Sequence, residues 1–541
     1  MCSIVGLLDK NGHNVCGKIV DMMEITAHRG PDGCGLVMGA QIKKSEGLET
    51  LDASDISGSS GMGHLRLRIT GTSGTQPLSG CEKRFVVGFN GEIWNYKQLR
   101  ERLQVCGHDF ETDSDSEVIV HLIEENYHRA SSFPDSVART VKMLDGEWAF
   151  AVIDNATKKV ILARDPVGVK QLYFGNDSRY IAFASEKKPL LKLGISPKRV
   201  PPGNTAEINF GDGSNVYDFK TRQVNEIKKI PVRIFNESQA LHTYEKALVE
   251  AVRKRVDGQK HIGVIFSGGV DSVLIAQIAK NLGVNTTCYT SGTSCSADVL
   301  AARRVAKEMN LELKENIITE DKISSSLNDI ISAIESTDHL QVDVAIPVYF
   351  AVEAAKQDNV RIMLTGQGAD ELFAGYPWYP QVLKEGGSDE LNKCLWEDIR
   401  SLYKDTLERE DKITMHHSTE LRVPYLDPDV IEASMSISED LKIMGNHGKY
   451  IHRKLAESVG VPRYVSWRPK EAAQHGSDSH EKLFAVLKKK HVSLKSKIST
   501  SKIEHEKLGS AYRYKHDVYS DNKDIQSILN YLGEEAGLYA S

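Results

Sequence analysis

The sequence predicts an α/β protein in two domains, a mixed α/β sandwich followed by a doubly wound parallel sheet, and three observations carry that expectation. The 541 residues exceed what one hydrophobic core usually serves. The first 215 residues read as short apolar strands broken by Gly, Asp and Asn turns. From Ser238 onward, helical patterns alternate with short β-rich runs, as in parallel strands joined by helices.

In chain order, the first domain is expected to hold strands at Ser3 to Leu8, Arg84 to Phe89, Trp148 to Asp154 and Val160 to Ala163, with a helix over Glu117 to Glu125. The stretch from Phe210 to Pro231, with Gly211-Asp212-Gly213-Ser214-Asn215, reads as an exposed linker. Domains at 1–215 and 235–541 follow. In the second, strands are expected at Ile262 to Phe266, Thr286 to Thr290 and Val360 to Thr365, with helices from Ser272 and Asp298. Beyond about residue 475 the chain is rich in Lys, Ser and Glu, Lys488 to His491 included, and reads as solvated helices without chemistry of their own.

A net charge of -6 gives no general attraction to nucleic acid or anionic membrane. The apolar run Ile4 to Leu8 is too short for a signal-peptide core, and no stretch approaches the length of a membrane span. The eight cysteines, at 2, 16, 34, 81, 106, 288, 295 and 394, form no C-x-x-C pair and no interleaved Cys/His set. Neither a zinc site nor a disulfide framework is expected, and a cytoplasmic location fits. The sequence leaves a homodimer open.

Cys2 is the first candidate for chemistry. Removal of Met1 would put a thiol and a free α-amino group on one residue, and an amine titrating at about 7.7 to 8.0 can take the thiol proton. A second candidate is the run His261 to Phe266, followed by Ser267-Gly268-Gly269-Val270-Asp271-Ser272 and an apolar helix. Strand, glycine turn and helix start together make an anion site of backbone N–H groups, with Ser267 and Ser272 adding hydroxyls. No Lys follows the glycines, so this is not the loop of γ-phosphate transfer. Asp271 is a natural ligand for Mg2+ beside pyrophosphate, and Asp370, in the glycine-rich stretch Leu364 to Tyr376 after another β-rich run, is the candidate second ligand.

Together these residues resemble the glutamine-dependent asparagine synthetases, with a match running from Met1 to about Ser477. In the first half it rests on Met1-Cys2-Ser3-Ile4, Ala27 to Asp32, Gly63 to Leu67, Asn90 to Tyr96 and Thr112 to Glu117. In the second it rests on Ser267 to Ser272, Thr365 to Tyr376, Glu420 to Asp427 and Trp467 to Lys470. The resemblance implies a class II amidotransferase domain with the four-layer αββα sandwich of the N-terminal nucleophile enzymes, then an ATP pyrophosphatase-like domain. Its substrates would be glutamine, aspartate and ATP, with Mg2+ as cofactor.

The resemblance also assigns roles. Read alone, Asn90-Gly91 is a hairpin turn between β-rich runs. In the family the matching amide and N–H donate to the oxyanion formed on glutamine, at about 3 kcal/mol per donor. Arg66 and Asp115 match the grip on the α-carboxylate and α-ammonium of glutamine, and Glu92 another pocket residue. Arg29 lies near the nucleophile with no role assigned. Lys470 matches a lysine of the synthetase centre, and Ile265, Thr365, Gly366 and Ser291 match positions lining the nucleotide. Two positions depart. Gln367 stands where many members carry a Glu tied to adenylate formation, and Asp343, within Gln341 to Pro347, stands where a typical member has an Arg for a substrate carboxylate. Both departures fall at the acceptor end, so a ligase amidating another carboxylate, or a sensor with a disabled synthetase half, are the alternatives. Where subgroups of the family solve acceptor binding differently for the same substrate, Asp343 would serve the α-ammonium or a buried pair.

Overall fold

The computed structural model describes residues 2–209, 219–494 and 523–538. The chain divides into two compact units, Met1–Ile227 with Gly537–Ser541 and Lys228–Ala536.

The first unit is built on two sheets whose neighbouring strands are all antiparallel. One has the order Lys198–Arg199, Tyr173–Asn176, Tyr180–Ala184, Ser3–Asp9, Ser60–Leu65, Cys34–Met38, Gln41–Ser45. The other runs Phe219–Gln223, Asn204–Asn209, Lys159–Arg164, Gly146–Asp154, Phe85–Ile93, Leu78–Ser79. The two-residue side-chain period sorts the layers. Val5 and Leu7 pack with Ile19, Met22 and Met23 of the helix Cys16–Ile25, while Ile4 and Leu8 meet Val86, Ala149 and Leu162 of the other sheet. Phe85, Val87 and Phe89 turn the opposite way, onto Val118, Ile119 and Leu122 of the helix Glu117–Tyr127 and Val137 of the helix Phe133–Val141. Both faces of each sheet are therefore covered, giving the expected αββα sandwich. That is why its central strands read as continuous apolar runs rather than alternating ones.

Two sequence readings need correction here. The strand expected to end at Phe89 runs on to Ile93, so Asn90 and Gly91 lie inside a strand, opposite Ala149 and Trp148, and form no hairpin turn. The segment expected as linker carries the strand Phe219–Gln223, paired with Asn204–Asn209; residues 210–218 lie outside the described ones.

The second unit centres on a five-stranded parallel sheet of order Glu312–Ile317, Asn285–Gly292, His261–Ile265, Ile362–Leu364, Glu420–Arg422. From His261–Ile265 the chain moves to one side for two strands and returns to the other side for the last two. The switch point of this doubly wound sheet therefore lies between His261–Ile265 and Ile362–Leu364, where ligands of such sheets bind. The helices Val270–Asn281 and Ala297–Glu308 begin close to where the sequence places them.

The chain beyond 475 is packed rather than merely solvated, where it is described. The helix Ser479–Leu494 buries Leu483, Val486 and Leu487, and the helix Lys523–Glu535 buries Ile525, Ile528, Leu529 and Leu532. These apolar positions keep helical spacing, but they are diluted by Lys and Glu. Among the described residues no helix is long and apolar enough to cross a membrane.

Candidate active sites

In the first unit, Cys2 immediately precedes the strand Ser3–Asp9, and its thiol is buried 4.0 Å from the carbonyl of Leu67. Burial pushes the thiol up to about 11, with the Arg66 guanidinium drawing it back down and Asp115 pushing it further up. Both expected glutamine-gripping charges are thus close enough to act on the sulfur. Arg29 is fully buried and fixes the main chain at Cys2. Its Nε donates to the carbonyl of Cys2 at 3.1 Å and its Nη1 to Glu186 Oε1 at 2.9 Å.

Asn90 and Gly91 lie on the strand Phe85–Ile93. The Asn90 side chain is fully buried, and neither its amide nitrogen nor its oxygen has a hydrogen-bond partner among the described residues. An orphaned buried amide is costly in a core, at about 1–3 kcal/mol, and is the state expected of a donor held for an oxygen that arrives with substrate. Gly91 is required by close approach: a Cβ there would lie 2.2 Å from the carbonyl oxygen of Glu147 and 2.6 Å from Trp148 Cα. The 70–73 loop is tied to Arg66 and Glu92. Arg66 Nη2 donates to the carbonyls of Ser73 and Gly71, Thr70 Oγ1 donates to Glu92 Oε2 at 2.7 Å, and Asp115 Oδ2 accepts the N–H of Ile93 at 2.9 Å.

In the second unit one cavity opens at the carboxyl ends of His261–Ile265 and Ile362–Leu364. It is lined by every residue expected to bind nucleotide except Gly268 and Ser291, and also by Gln367, Asp370 and Lys470. Gly268 holds the turn behind the lining with φ +69°, and a Cβ there would meet Ala302 N at 2.7 Å. Ser291 donates its hydroxyl to the carbonyl of Pro347 instead, and does not line the cavity. Gly366 lets the two loops touch, since a Cβ at that position would lie 2.9 Å from Asp271 Cβ.

Asp271 and Asp370 converge as the sequence anticipates, bridged by an ammonium it did not single out: Lys449 Nζ is 2.7 Å from a carboxylate oxygen of each. Lys470 Nζ is 2.9 Å from Asp370 Oδ2, and His452 Nε2 is 3.1 Å from Asp271 Oδ1. Burial alone would raise both acids, yet Lys449, with His452 and Lys470 on Asp271 and Lys470 on Asp370, holds them below the usual carboxylate range. Two carboxylates converging beside the glycine turn offer the hard oxygen donors that Mg2+ takes.

On the same cavity, Gln367 Nε2 donates to Glu410 Oε1, and Thr365 Oγ1 donates to Glu410 Oε2 at 3.3 Å. Glu410 is buried and projects from the helix Glu408–His416 into the cavity. A second cavity shares Gln367, Asp370 and Lys470 with the first and is further lined by Glu371, Asp398, Asp405 and Arg409. Arg409 Nη1 donates to Gln341 Oε1 at 2.8 Å, while its Nε has no partner among the described residues. Asp343 lines neither cavity and forms a buried pair, its Oδ2 2.6 Å from His480 Nδ1.

A model of the glutamine amidotransferase domain matches residues 1–210, and a model of asparagine synthase matches residues 243–386 and 381–532. The chain belongs to the asparagine synthase family. A Methanocaldococcus jannaschii protein named "Putative asparagine synthetase (glutamine-hydrolyzing) 1" is 35% identical over 540 residues, covering 90% of this chain and 96% of that protein. The glutamine-hydrolysing asparagine synthetase of Gallus gallus is 31% identical over 428 residues, 74% of this chain and 73% of that protein. Asparagine synthetase 3 of Arabidopsis thaliana is 29% identical over 497 residues, 88% and 79% respectively.

In this member of the asparagine synthase family, sequence reasoning missed Lys449, His452, Arg409 and Glu410. Lys449 follows Gly448 at a helix start and holds φ +63°, an uncommon value for a residue with a side chain, but nothing around it separates it from a solvated lysine in the bare sequence. Arg409-Glu410 reads as a charged helix face; only the fold turns that face inward.

Proposed function

We propose that the chain is a glutamine-hydrolysing asparagine synthetase, converting ATP, L-aspartate, L-glutamine and water into AMP, diphosphate, L-asparagine and L-glutamate. Family membership along both halves supports this, and one observation carries it for the acceptor: the phosphate-loop cavity and the acid- and arginine-lined cavity meet at Gln367, Asp370 and Lys470. An α-amino acid with a second carboxylate fits that division. Its ammonium meets acids in the second cavity, its α-carboxylate meets the free Nε of Arg409, and its β-carboxylate points at the phosphate loop.

With Met1 removed, the Cys2 α-amino group takes the thiol proton, and the thiolate attacks the glutamine amide. Asn90 Nδ2 and the Gly91 N–H stabilise the oxyanion while Arg66 and Asp115 hold the amino-acid end. Ammonia leaves, and water hydrolyses the γ-glutamyl thioester. In the second unit the aspartate β-carboxylate displaces diphosphate from ATP, and ammonia then displaces AMP from the β-aspartyl-adenylate. Lys470 stabilises negative charge at that centre. Asp271 and Asp370 would hold Mg2+, which supplies charge neutralisation to the departing diphosphate. Arg409 and Glu410 would provide, from one helix, the charges whose usual positions are here Asp343 and Gln367.

The deciding experiment incubates the purified protein with glutamine, ATP, Mg2+ and aspartate and follows AMP, diphosphate and asparagine. Aspartate-dependent diphosphate release with asparagine formation is expected; diphosphate release indifferent to aspartate would overturn the assignment.

A further inference from the structure

Away from both cavities, four side chains with metal-ligating atoms converge in the first unit. Cys81 lies in the turn between the strands Leu78–Ser79 and Phe85–Ile93, His108 follows the helix Tyr96–Val105, and His121 and Glu124 sit one turn apart on the helix Glu117–Tyr127. One ligand atom from each falls within 4.8 Å of all the others. Cys81 Sγ is 3.6 Å from His121 Nδ1 and 3.9 Å from His108 Nδ1. Glu124 Oε2 is 3.4 Å from His121 Nδ1 and 3.6 Å from His108 Nδ1. A tetrahedral zinc ion with Zn–S of about 2.3 Å and Zn–N or Zn–O of about 2.0–2.1 Å places its ligand atoms about 3.3–3.6 Å apart. These four separations are those of such a shell, slightly expanded.

The surroundings are arranged as a metal site requires. Both rings present the same nitrogen, Nδ1, to the centre, and both turn Nε2 toward an outer carboxylate, His121 to Glu117 Oε1 at 3.5 Å and His108 to Glu125 Oε2 at 3.6 Å. That is the carboxylate–histidine–metal arrangement, which fixes the tautomer and aims the ligating lone pair. Glu117 is itself held by the N–H groups of Glu111 and Thr112. Glu124 is fixed by the N–H groups of Cys81 and Glu82, and lies close over the turn, where a Cβ at Gly80 would come within 2.1 Å of its Oε1. An imidazole–carboxylate cluster alone would explain the histidines and Glu124, but not a thiol brought to the same point.

We propose that Cys81, His108, His121 and Glu124 hold one Zn2+. Thiolate, imidazole and carboxylate together favour a borderline-soft ion over Mg2+ or Ca2+, and four protein ligands leave no open position, so the site is structural. Binding releases the Cys81 proton to solvent. The ion ties the 81 turn and the 108 loop to the helix whose entry carries Asp115. The ligands are scattered in sequence at 81, 108, 121 and 124, without the paired spacing of a zinc finger, which is why composition pointed away from zinc.

The test uses the full-length chain. Metal content after growth with zinc should be about one equivalent, and Co2+ replacing zinc should give a thiolate charge-transfer band with the intense visible bands of a tetrahedral centre. Cys81→Ser should abolish the thiolate band, Cys81→Ser/His108→Gln should lose stoichiometric metal, and Glu125→Gln should weaken Zn2+ binding by about 10–100-fold. Cys2→Ala should leave metal binding intact. Glutamine hydrolysis retained by the double variant would show that its first unit is folded. Absence of stoichiometric zinc and of the cobalt spectrum in the parent protein, or equal metal binding by the double variant, would overturn the site.

Discussion

At the scale of residues, the orphaned amide of Asn90 makes a clean prediction. Because its nitrogen and oxygen bond nothing among the described residues, Asn90→Ala removes a transition-state donor without breaking a native hydrogen bond. Glutamine-dependent kcat should fall by about 10²–10³-fold, while ammonia-driven synthesis and the melting temperature stay near the parent values; a large loss of melting temperature would show a structural role instead. Glu410 is the counterpart at the other centre. Seated on Gln367 and Thr365, its carboxylate should matter to adenylate formation alone, so Glu410→Gln is expected to slow aspartate-dependent diphosphate release by up to about 10²-fold and leave glutaminase activity unchanged. The two residues differ in how visible they are in the sequence. Asn90 sits in a recognisable motif, though its bare dipeptide suggests a turn, because the period-2 pattern carrying it into the strand is broken by Gly91. Glu410 carries no signal at all, since a charged helix face is ordinarily solvated, and its burial follows from packing between elements far apart in sequence.

At the scale of elements, the strand, glycine turn and helix around Gly268 and Gly269 were legible because they are consecutive in the chain. The edge strand Glu312–Ile317 was not, because Glu312, Lys314 and Glu315 make it a polar run and its one buried position is itself polar, Asn316. The helix Ser479–Leu494 was misread for a similar reason: composition suggested solvent, whereas the spacing of Leu483, Val486 and Leu487 describes a buried stripe. That stripe can be tested directly. Leu487 is fully buried, so Leu487→Ala should destabilise the protein by about 2–5 kcal/mol, read as a lowered midpoint in denaturant with an unchanged slope. A change under about 0.5 kcal/mol would mean the helix is not part of the core. His480, at the start of this helix, adds a polar anchor by pairing with buried Asp343, which accounts for an acid that sequence reasoning placed near the acceptor.

At the scale of the whole molecule, two units each carry one chemistry, and the predicted separation is functional. Cys2→Ala should abolish glutamine-driven synthesis and preserve synthesis from added ammonia; loss of both would contradict the division of labour. Stability should show a pH signature from a group outside either centre. Lys442 is fully buried, its ammonium 3.6 Å from Met435 Sδ, and burial lowers its titration to about 7 despite nearby Glu439. In the unfolded chain it titrates near about 10.4. Below pH 7 both states carry the charge, and the folded state bears its full desolvation cost. Between pH 7 and about 10.4 the unfolded chain binds a proton that the folded one does not, so this group's contribution rises with pH across that window. Lys442→Met, an unbranched apolar side chain of similar length, should therefore stabilise the protein by about 1–3 kcal/mol at pH 6. The advantage should shrink steadily from pH 7 to 10, measured as the difference in calorimetric melting temperature between variant and parent. A difference that is constant or grows over that range would show that Lys442 is charged in the folded protein and held by partners that compensate its burial.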